Sequence, residues 1–316
     1  MSSPSQFNHL PVLPREAIDA LDIKPGGIYV DGTLGGGGHS ALILQHLAPE
    51  GRLIGIDRDE DALTAANERL QNPNFQGVRG NFHDLPQILQ DLNIDTVDGV
   101  LLDLGVSSYQ LDTGRRGFSY RLDGPLDMRM DNRAQLSAHA IVNTYDEKEI
   151  ADILFTFGEE CRSRPLARAI CRARDISPID TTLQLASIIE KSSPRRRAGD
   201  PHPAMRSFMA LRIAVNDELA PLETAITNIA EKTLKPGGRF AIITFHSLED
   251  RIVKTAFHKL TAPCECPRDF PYCVCTGKPI IKKITKKPIL PTKEELETNS
   301  RAHSAKLRVA QKLQEV

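Results

Sequence analysis

Tryptophan is absent from this chain of 316 residues, and aromatic residues make up only 5% of it. Long hydrophobic runs are missing too, because no stretch of about 18 apolar residues occurs, and this excludes a transmembrane helix. The first residues, MSSPSQFNHLPVLPREA, contain no apolar region behind a basic stretch, so we expect no secretory signal. Six cysteines are too few for a disulfide scaffold of this length. These absences predict a soluble, cytoplasmic protein with reduced thiols.

The chain also lacks an excess of either charge: 40 Lys and Arg balance 41 Asp and Glu, for a net charge of -1. Taken alone, this balance argues against a nucleic-acid binder. The distribution changes that conclusion, since residues 162–212 carry a net charge of +7, residues 276–316 carry +6, and the remainder carries -14. Two basic segments and an acidic remainder suit a protein that holds a polyanion on one surface and a cationic group elsewhere. Solvated surface is the alternative interpretation of the basic segments.

Strand and helix patterns alternate in the first third of the sequence. Short apolar runs that end in glycine or acidic residues predict buried strands at residues 27–31, 52–57, 75–82 and 97–104. Helical patterns at residues 40–47 and 60–70 separate the first three of them. This order predicts a doubly wound α/β sheet with right-handed crossovers.

The alternation stops after Gly105 and resumes about a hundred residues later. Residues 108–204 contain helical stretches such as 147–157 and 166–174, but no strand pattern. Further on, the sequence predicts a long helix at 204–234, a strand at 239–245, a helix at 250–260 and a strand at 306–310. We therefore predict a discontinuous sheet domain, residues 1–107 plus 205–316, interrupted by a helical insertion at residues 108–204.

A glycine-rich segment, DGTLGGGGHS at residues 31–40, lies where the first strand turns into the first helix. Glycines permit positive φ and let a ligand approach the backbone, and Asp57 at the end of the second strand can accept both hydroxyls of a ribose. Gly36, Gly38 and Ala41 also satisfy a loose dinucleotide pattern, so an NAD(P) oxidoreductase stays open as an alternative. A tight turn that binds no ligand is a second alternative for this glycine-rich segment.

Acidic residues favour a cationic cofactor over a dinucleotide. Asp31, Asp57 and Asp103 each lie at or near the end of a predicted strand, so they should meet at the carboxyl edge of the sheet, where ligands bind. Two phosphates would meet an unfavourable negative potential there. S-adenosylmethionine has no phosphate and carries a sulfonium and an ammonium group, which this edge would attract.

The chain resembles the MraW/RsmH family of bacterial methyltransferases over nearly its whole length. The matching stretches are HLPVL (9–13), VDGTLGGGGHS (30–40), GIDRD (55–59), DGVLLDLGVSS (98–108), RGFS (116–119), GPLDMRMD (124–131), FGEE (157–160), HP (202–203), ALRI (210–213), NDEL (216–219), FHSLEDRIVK (245–254) and SAKLRV (304–309). Their order and density make the resemblance specific.

This resemblance implies a class I S-adenosylmethionine-dependent methyltransferase fold with an inserted helical domain. It implies transfer of a methyl group to the N4 amino group of a decoding-region cytidine in 16S rRNA of the small ribosomal subunit. It also implies a cofactor site in which Gly37, Gly38 and His39 surround the methionine part. Asp57 would bind the ribose, Phe82 would lie beside the adenine, and Asp103 and Gln110 would complete the pocket. Monomer and homodimer both stay open.

The catalytic group is less well defined by the sequence. A cytosine N4 lone pair is delocalised into the ring, so a polar group that accepts the amino protons would help methyl transfer once the base has left its stack. The D/N/S-P-P-aromatic motif of related DNA enzymes is missing after the fourth strand. We predict catalytic roles for Asp103, which would frame the cofactor, and for His246 or Asn216, which would hold the base. A helix cap is the alternative role for residues 246–250.

Two further features concern partners and metals. Arg162, Arg164, Arg168, Arg172, Arg174 and Arg195 to Arg197 are candidates for phosphate contacts. Cys264, Cys266, Cys273 and Cys275 form two C-x-C pairs that differ from the usual zinc spacing, so we assign no metal ligand and keep a structural zinc as the alternative. An RNA-binding assembly factor that has lost catalysis is a further alternative for the whole chain.

Overall fold

A computed structural model describes residues 10–194, 199–262, 266 and 277–314. The chain forms two compact units, residues 1–105 with 219–316 and residues 106–218. The first unit has two hydrophobic cores, and the second unit has one of its own. Within the described ranges, no helix is long and apolar enough to cross a membrane.

The strands are β1 (Ile28–Asp31), β2 (Arg52–Asp57), β3 (Phe75–Arg79), β4 (Val97–Asp103), β5 (Leu234–Thr244), β6 (Ile281–Lys283) and β7 (Lys306–Lys312). The helices are α1 (Pro14–Leu21), α2 (Gly38–Leu44), α3 (Glu60–Arg69), α4 (Leu85–Asp91), α5 (Ser108–Asp112), α6 (Ala138–Thr144), α7 (Glu147–Gly158), α8 (Ser163–Arg174), α9 (Thr182–Ser192), α10 (Ala204–Asn216), α11 (Leu222–Asn228), α12 (Ser247–Thr261) and α13 (Lys293–Thr298). Short 3₁₀ turns occur at Phe82–Asp84, Gly114–Arg116 and Ser300–Ser304, and a π turn occurs at Ile229–Thr233.

A seven-stranded sheet in the order β3-β2-β1-β4-β5-β7-β6 forms the centre of the first unit. The strands from β3 to β5 are parallel, whereas β7 is antiparallel to both of its neighbours. A dinucleotide-binding sheet has the order 3-2-1-4-5-6 with no such reversed strand. The antiparallel strand between β5 and β6 is that of the class I methyltransferase fold, so the predicted fold class is confirmed.

Both faces of this sheet are covered, which explains the continuous apolar runs in its strands. Along β4, Val100 and Leu102 pack into one core together with α4, α11 and α12. Leu101, between them, packs into the opposite core with α1, α2 and α3. Successive side chains of a strand point to opposite faces, so a strand buried on both sides has no polar alternation.

The predicted strands agree with the structure within a few residues, and β2 agrees at both ends. Two differences have physical causes. Strand β5 begins at Leu234, before the Pro-Gly-Gly sequence that we expected to separate helix from strand, and its register with β4 shifts between Val97 and Gly99. Strand β6 has only three residues, too few for an apolar pattern to show.

The second unit is helical, and its core is formed by the inward faces of α6 to α10. We predicted one long helix at residues 204–234 and placed the end of the insertion at 204. This helix prediction was wrong, because α10 ends at Asn216 and Asp217 adopts a left-handed φ of 47°. Phe208 and Leu211 of α10 pack in the helical core, whereas Leu222 of α11 packs against the sheet. The helical unit therefore extends to Glu218.

Close backbone contacts hold the segment before α6 together. A Cβ atom added at Gly117 would lie 2.3 Å from the carbonyl oxygen of Pro125, and one at Gly124 would lie 1.9 Å from the carbonyl oxygen of Gly114. The Arg116 guanidinium donates to the carbonyl oxygens of Arg129 and Met130 at 2.9 and 3.2 Å. The RGFS and GPLDMRMD motifs are therefore parts of one folded loop.

Gly117→Ala should destabilise the protein far more than Gly199→Ala. Both glycines have positive φ, 75° and 93°, but an added Cβ at Gly199 meets nothing within 4 Å. The Gly199 variant should lose about 1 kcal/mol from backbone strain alone. The Gly117 variant should lose an additional ~1–3 kcal/mol from overpacking. Urea unfolding measures both, and equal losses would contradict the proposed steric role of Gly117.

Candidate functional site

The turn from β1 into α2 brings several backbone N–H groups to the carboxyl edge of the sheet. Gly35 and Gly37 have positive φ of 49° and 73°, which only glycine adopts without strain. The Gly37 N–H donates to the carbonyl oxygen of Leu34 at 2.8 Å, and a Cβ added at Gly37 would lie 2.8 Å from Leu70 Cδ1. Gly38 then begins α2. The glycine run is therefore required by the turn itself, whether or not a ligand binds.

Asp57 closes β2 beside this turn. One carboxylate oxygen accepts from the Gly35 N–H at 2.8 Å, and the other accepts from the Asp59 N–H at 2.9 Å. Burial raises its pKa to about 6, although these two hydrogen bonds act in the opposite direction. Each oxygen keeps a second lone pair. Asp57 can therefore hold the glycine turn in place and still accept hydrogen bonds from two hydroxyls of a ligand.

Asp103 closes β4 and is the most weakly compensated acid of the site. Its backbone N–H donates to Thr33 Oγ1 at 2.5 Å, and its Oδ2 lies 3.6 Å from His39 Nδ1. The other oxygen, Oδ1, is buried and has no hydrogen-bond donor among the described residues. The side chain keeps 24% of its surface exposed, but the surrounding protein raises its pKa to about 6. This carboxylate can therefore gain from a nearby cation.

His39 connects Asp103 with the N-terminal segment. Its Nε2 lies 2.9 Å from the carbonyl oxygen of Val12, so this nitrogen carries the proton, and the ring is almost fully buried. The neighbouring Ser40 hydroxyl donates to Asp31 Oδ2 at 2.7 Å. Burial raises the pKa of Asp31, while His39 and Ser40 act to lower it. Two of the three predicted strand-end acids, Asp31 and Asp103, thus lie near the same histidine.

Phe82 lies at the same edge, in the 3₁₀ turn after β3. A Cβ added at Gly32, just after β1, would be 3.1 Å from Phe82 Cβ. The His83 ring packs edge-on against Phe82 with ring centroids 4.3 Å apart. Burial lowers the pKa of His83 to about 4, helped by the positive charge of Arg58. The predicted cofactor residues of the first unit (Gly37, Gly38, His39, Asp57, Phe82 and Asp103) therefore share one edge of the sheet.

His246 is the N-cap of α12, so the capping role that we considered for this segment is present. Its Nδ1 accepts from the Glu249 N–H at 3.4 Å, and the Glu249 carboxylate accepts from the Phe245 N–H at 2.8 Å. His246 Nε2 lies 3.0 Å from Glu249 Oε1, close enough for an ion pair but without hydrogen-bond geometry. Both ring nitrogens thus face Glu249, and catalysis by His246 stays a prediction.

Asn216 and Gln110 belong to the second unit. The Asn216 amide donates to the carbonyl oxygen of Met128 at 2.7 Å, and its oxygen accepts from the Met130 N–H at 2.8 Å. Gln110 caps α5, accepting from the Ser107 N–H at 3.0 Å. In the structure both side chains hold backbone in place, and their catalytic and cofactor roles stay predictions.

Sequence reasoning missed Glu249 and Thr33. Glu249 is buried, with 2% of its surface exposed, and its charge contributes to raising the pKa of Asp103. Its spacing to the N-cap is that of a capping box, but the cap is His246 rather than the usual Ser or Thr. Thr33 was inside the glycine motif, and only the fold shows that its hydroxyl accepts from the Asp103 N–H.

The basic residues of the second unit are partly used within the protein. Arg164, Arg168 and Arg172 are exposed and spaced by four residues, so they lie on one face of α8. Arg168 pairs with Glu147 at 3.3 Å, and Arg174 donates to the carbonyl oxygen of Val142. Arg195 to Arg197, like Cys264, Cys273 and Cys275, lie outside the described residues. Phosphate contacts by these arginines stay a prediction, and zinc binding by these cysteines stays an untested alternative.

Comparison with known proteins agrees with this geometry. Residues 6–313 match the MraW methylase family. Relatives named ribosomal RNA small subunit methyltransferase H include one from Clostridium botulinum (strain Kyoto / Type A2), 54% identical, with 98% of this chain and 100% of the relative aligned. Others come from Brevibacillus brevis (54% identical; 97% and 98% aligned) and Carboxydothermus hydrogenoformans (51% identical; 98% and 99% aligned). Because the match covers almost the whole chain, including the sheet and the glycine turn, this chain belongs to the MraW methylase family.

Proposed function

We propose that this protein methylates small-subunit ribosomal RNA, transferring a methyl group from S-adenosylmethionine to the N4 amino group of a decoding-region cytidine in 16S rRNA. S-adenosylmethionine is the cofactor. The observation that carries the proposal is the acidic carboxyl edge of the sheet, where one oxygen of the Asp103 carboxylate has no donor among the described residues. The names of the full-length relatives support ribosomal RNA of the small subunit as the substrate.

The residues of the first unit fit this cofactor in charge and in hydrogen-bonding capacity. Burial raises the pKa of Asp103, and the negative charges of Asp31 and Glu249 raise it further. An edge with this concentration of negative charge attracts a sulfonium and an ammonium. Asp57 has spare lone pairs for two ribose hydroxyls. A dinucleotide would instead bring two phosphates to the same acids. At Gly37 the positive φ and the nearby Leu70 side chain favour glycine, which leaves the backbone of this turn open to a ligand.

When bound, S-adenosylmethionine supplies an electrophilic methyl group on a positively charged sulfur. The protein has to align the cytosine amino nitrogen with that methyl group at roughly 3–3.5 Å. Asp103 is ionised at neutral pH, because its pKa of about 6 lies below 7. Its carboxylate can accept a hydrogen bond from the amino group and so direct the nitrogen lone pair. His246 and Asn216 would act by holding α12 and residues 128–130 in place.

Basic side chains in both units support contact with an RNA backbone. In the first unit, Lys278, Lys282, Lys283, Lys286 and Lys287 fall within ten residues. None of these five has a carboxylate partner within the described part of the chain, and four of them are exposed. In the second unit, Arg164 and Arg172 are exposed on α8. Such groups position RNA through its phosphates without reading the sequence.

Incubating the protein with small ribosomal subunits that lack the modification, and with S-adenosylmethionine labelled on its methyl group, should label one cytidine of the 16S rRNA. Nuclease digestion and mass spectrometry locate the nucleotide and the methylated atom. Label on a base carbon, a ribose oxygen or another ribosomal RNA would contradict the cytidine N4 assignment. No transfer to subunits, despite cofactor binding, would favour an assembly factor without catalysis.

Asp57→Ala should weaken S-adenosylmethionine binding by about 100-fold or more, since it removes two acceptors for ribose hydroxyls and frees the Gly35 N–H. Asp57→Asn keeps one acceptor and should lose less affinity. Isothermal titration calorimetry measures both. Asp61→Ala, an acidic residue in the first turn of α3, is the matched control and should bind as the wild type does. Wild-type affinity in Asp57→Ala would exclude the ribose role.

Cofactor affinity should fall as the pH drops below about 6. Burial raises the pKa values of Asp57 and Asp103 to about 6, so both carboxylates become protonated in the folded protein as the pH falls through that value. The Kd should rise about tenfold per pH unit for each carboxylate that must be ionised. Asp103→Asn should reduce this slope and lower kcat by about 100-fold or more. A Kd that stays constant from about pH 7 to about pH 5 would contradict the assignment.

A further inference from the structure

A stacked aromatic pair forms part of the second unit. The rings of Tyr120 and His202 lie 4.6 Å apart between centroids, with 18° between their planes. Phe208 meets Tyr120 edge-on at 5.8 Å and is itself buried, with 3% of its surface exposed. The guanidinium carbon of Arg121 lies 5.5 Å from the centre of the Tyr120 ring. Two aromatic planes and one guanidinium plane are therefore held together by a buried anchor.

This cluster is not closed off in the core. Tyr120 and His202 are each only partly buried, and Arg121 is exposed. Within the described ranges, the Arg121 guanidinium has no carboxylate partner. His202 Nδ1 accepts from the Ala204 N–H at 3.2 Å, which fixes the plane of its ring before α10 begins. The result is a rigid planar surface beside an uncompensated positive charge.

Planar aromatic and guanidinium groups with positive charge are the chemistry that receives unpaired nucleobases. The residues 162–212 that include His202 carry a net charge of +7, which suits the phosphates next to such a base. The same chemistry does not serve an acidic peptide as well, because a carboxylate gains nothing from the aromatic faces.

We propose that Tyr120, His202 and Arg121 form a stacking site for an unpaired base of the RNA substrate. This site rests on the proposed function, since it assumes an RNA substrate, and it adds a contact that reads no sequence. None of the three side chains offers a carboxylate or carbonyl oxygen that could accept the amino protons of cytosine. The site therefore contributes to RNA binding rather than to methyl transfer.

Two substitutions at His202 separate stacking from the hydrogen bond with the Ala204 N–H. His202→Phe keeps an aromatic ring and removes the acceptor for the Ala204 N–H, whereas His202→Asn keeps an acceptor and removes the ring. His139→Asn, at another histidine of the same unit, is the matched control. The probes are a fluorescent oligoadenylate of about 12 nucleotides and an abasic ribose-phosphate chain of the same length.

The dissociation constant for oligoadenylate should rise about fivefold or more in His202→Asn and stay within about twofold of the wild type in His202→Phe and His139→Asn. The slope of log Kd against log salt should not change in His202→Asn, since no Lys or Arg is removed. Binding of the abasic chain should be the same in all four proteins. Urea unfolding confirms that each variant is folded.

The stacking site would be excluded if His202→Phe and His202→Asn weakened oligoadenylate binding equally. It would also be excluded if His202→Asn lost as much affinity for the abasic chain as for oligoadenylate. Methyl transfer to small subunits, measured in parallel over a range of subunit concentrations, should keep the wild-type kcat in His202→Asn and show a raised KM. If His202→Asn weakened oligoadenylate binding as expected but the wild-type protein transferred no methyl group, the result would contradict the proposed function and not the stacking site.

Discussion

The enclosure of several carboxylates at one end of a covered sheet is the constraint on which the site depends. Asp31, Asp57 and Asp103 end strands whose two faces are packed with helices, so most of their stabilisation has to come from the protein. Backbone N–H groups compensate Asp57, and a serine hydroxyl and His39 compensate Asp31. The compensation of Asp103 is incomplete. In the function that we propose, a cationic ligand at this edge would compensate the charge of Asp103 further.

Sequence reasoning succeeded where one local property decides the structure. The strands were predictable because burial on both faces removes polar residues from them. The position of Asp57 at the carboxyl edge was predictable because the ends of parallel strands meet there. Sequence reasoning failed where the structure of a segment depends on contacts with residues distant in sequence. The apolar spacing at residues 204–234 indicates a helix, but it does not show which core each turn of that helix packs into. The break at Asp217 separates α10, which packs in the helical core, from α11, which packs against the sheet. The partners of Asn216 lie 86 and 88 residues earlier, so its tethering of Met128 and Met130 has no local pattern.

The two units divide the chemistry between them in the function that we propose. The first collects acidic groups around a glycine turn and would hold the methyl donor. The second carries exposed arginines on α8 and the planar cluster around Tyr120, and would hold RNA together with the lysines of residues 278–287 in the first unit. Local groups of opposite charge within the chain are compatible with its net charge near zero.

The insertion of the helical unit between β4 and β5 has a consequence for how the chain folds. These strands are direct neighbours in the sheet, yet the whole of residues 106–218 separates them in sequence. Pairing across such a distance carries a large loop-closure entropy and slows folding. The helical unit has a hydrophobic core of its own, so its formation before the sheet would reduce the length of flexible chain that the pairing must close. The insertion then assists assembly of the sheet that it interrupts.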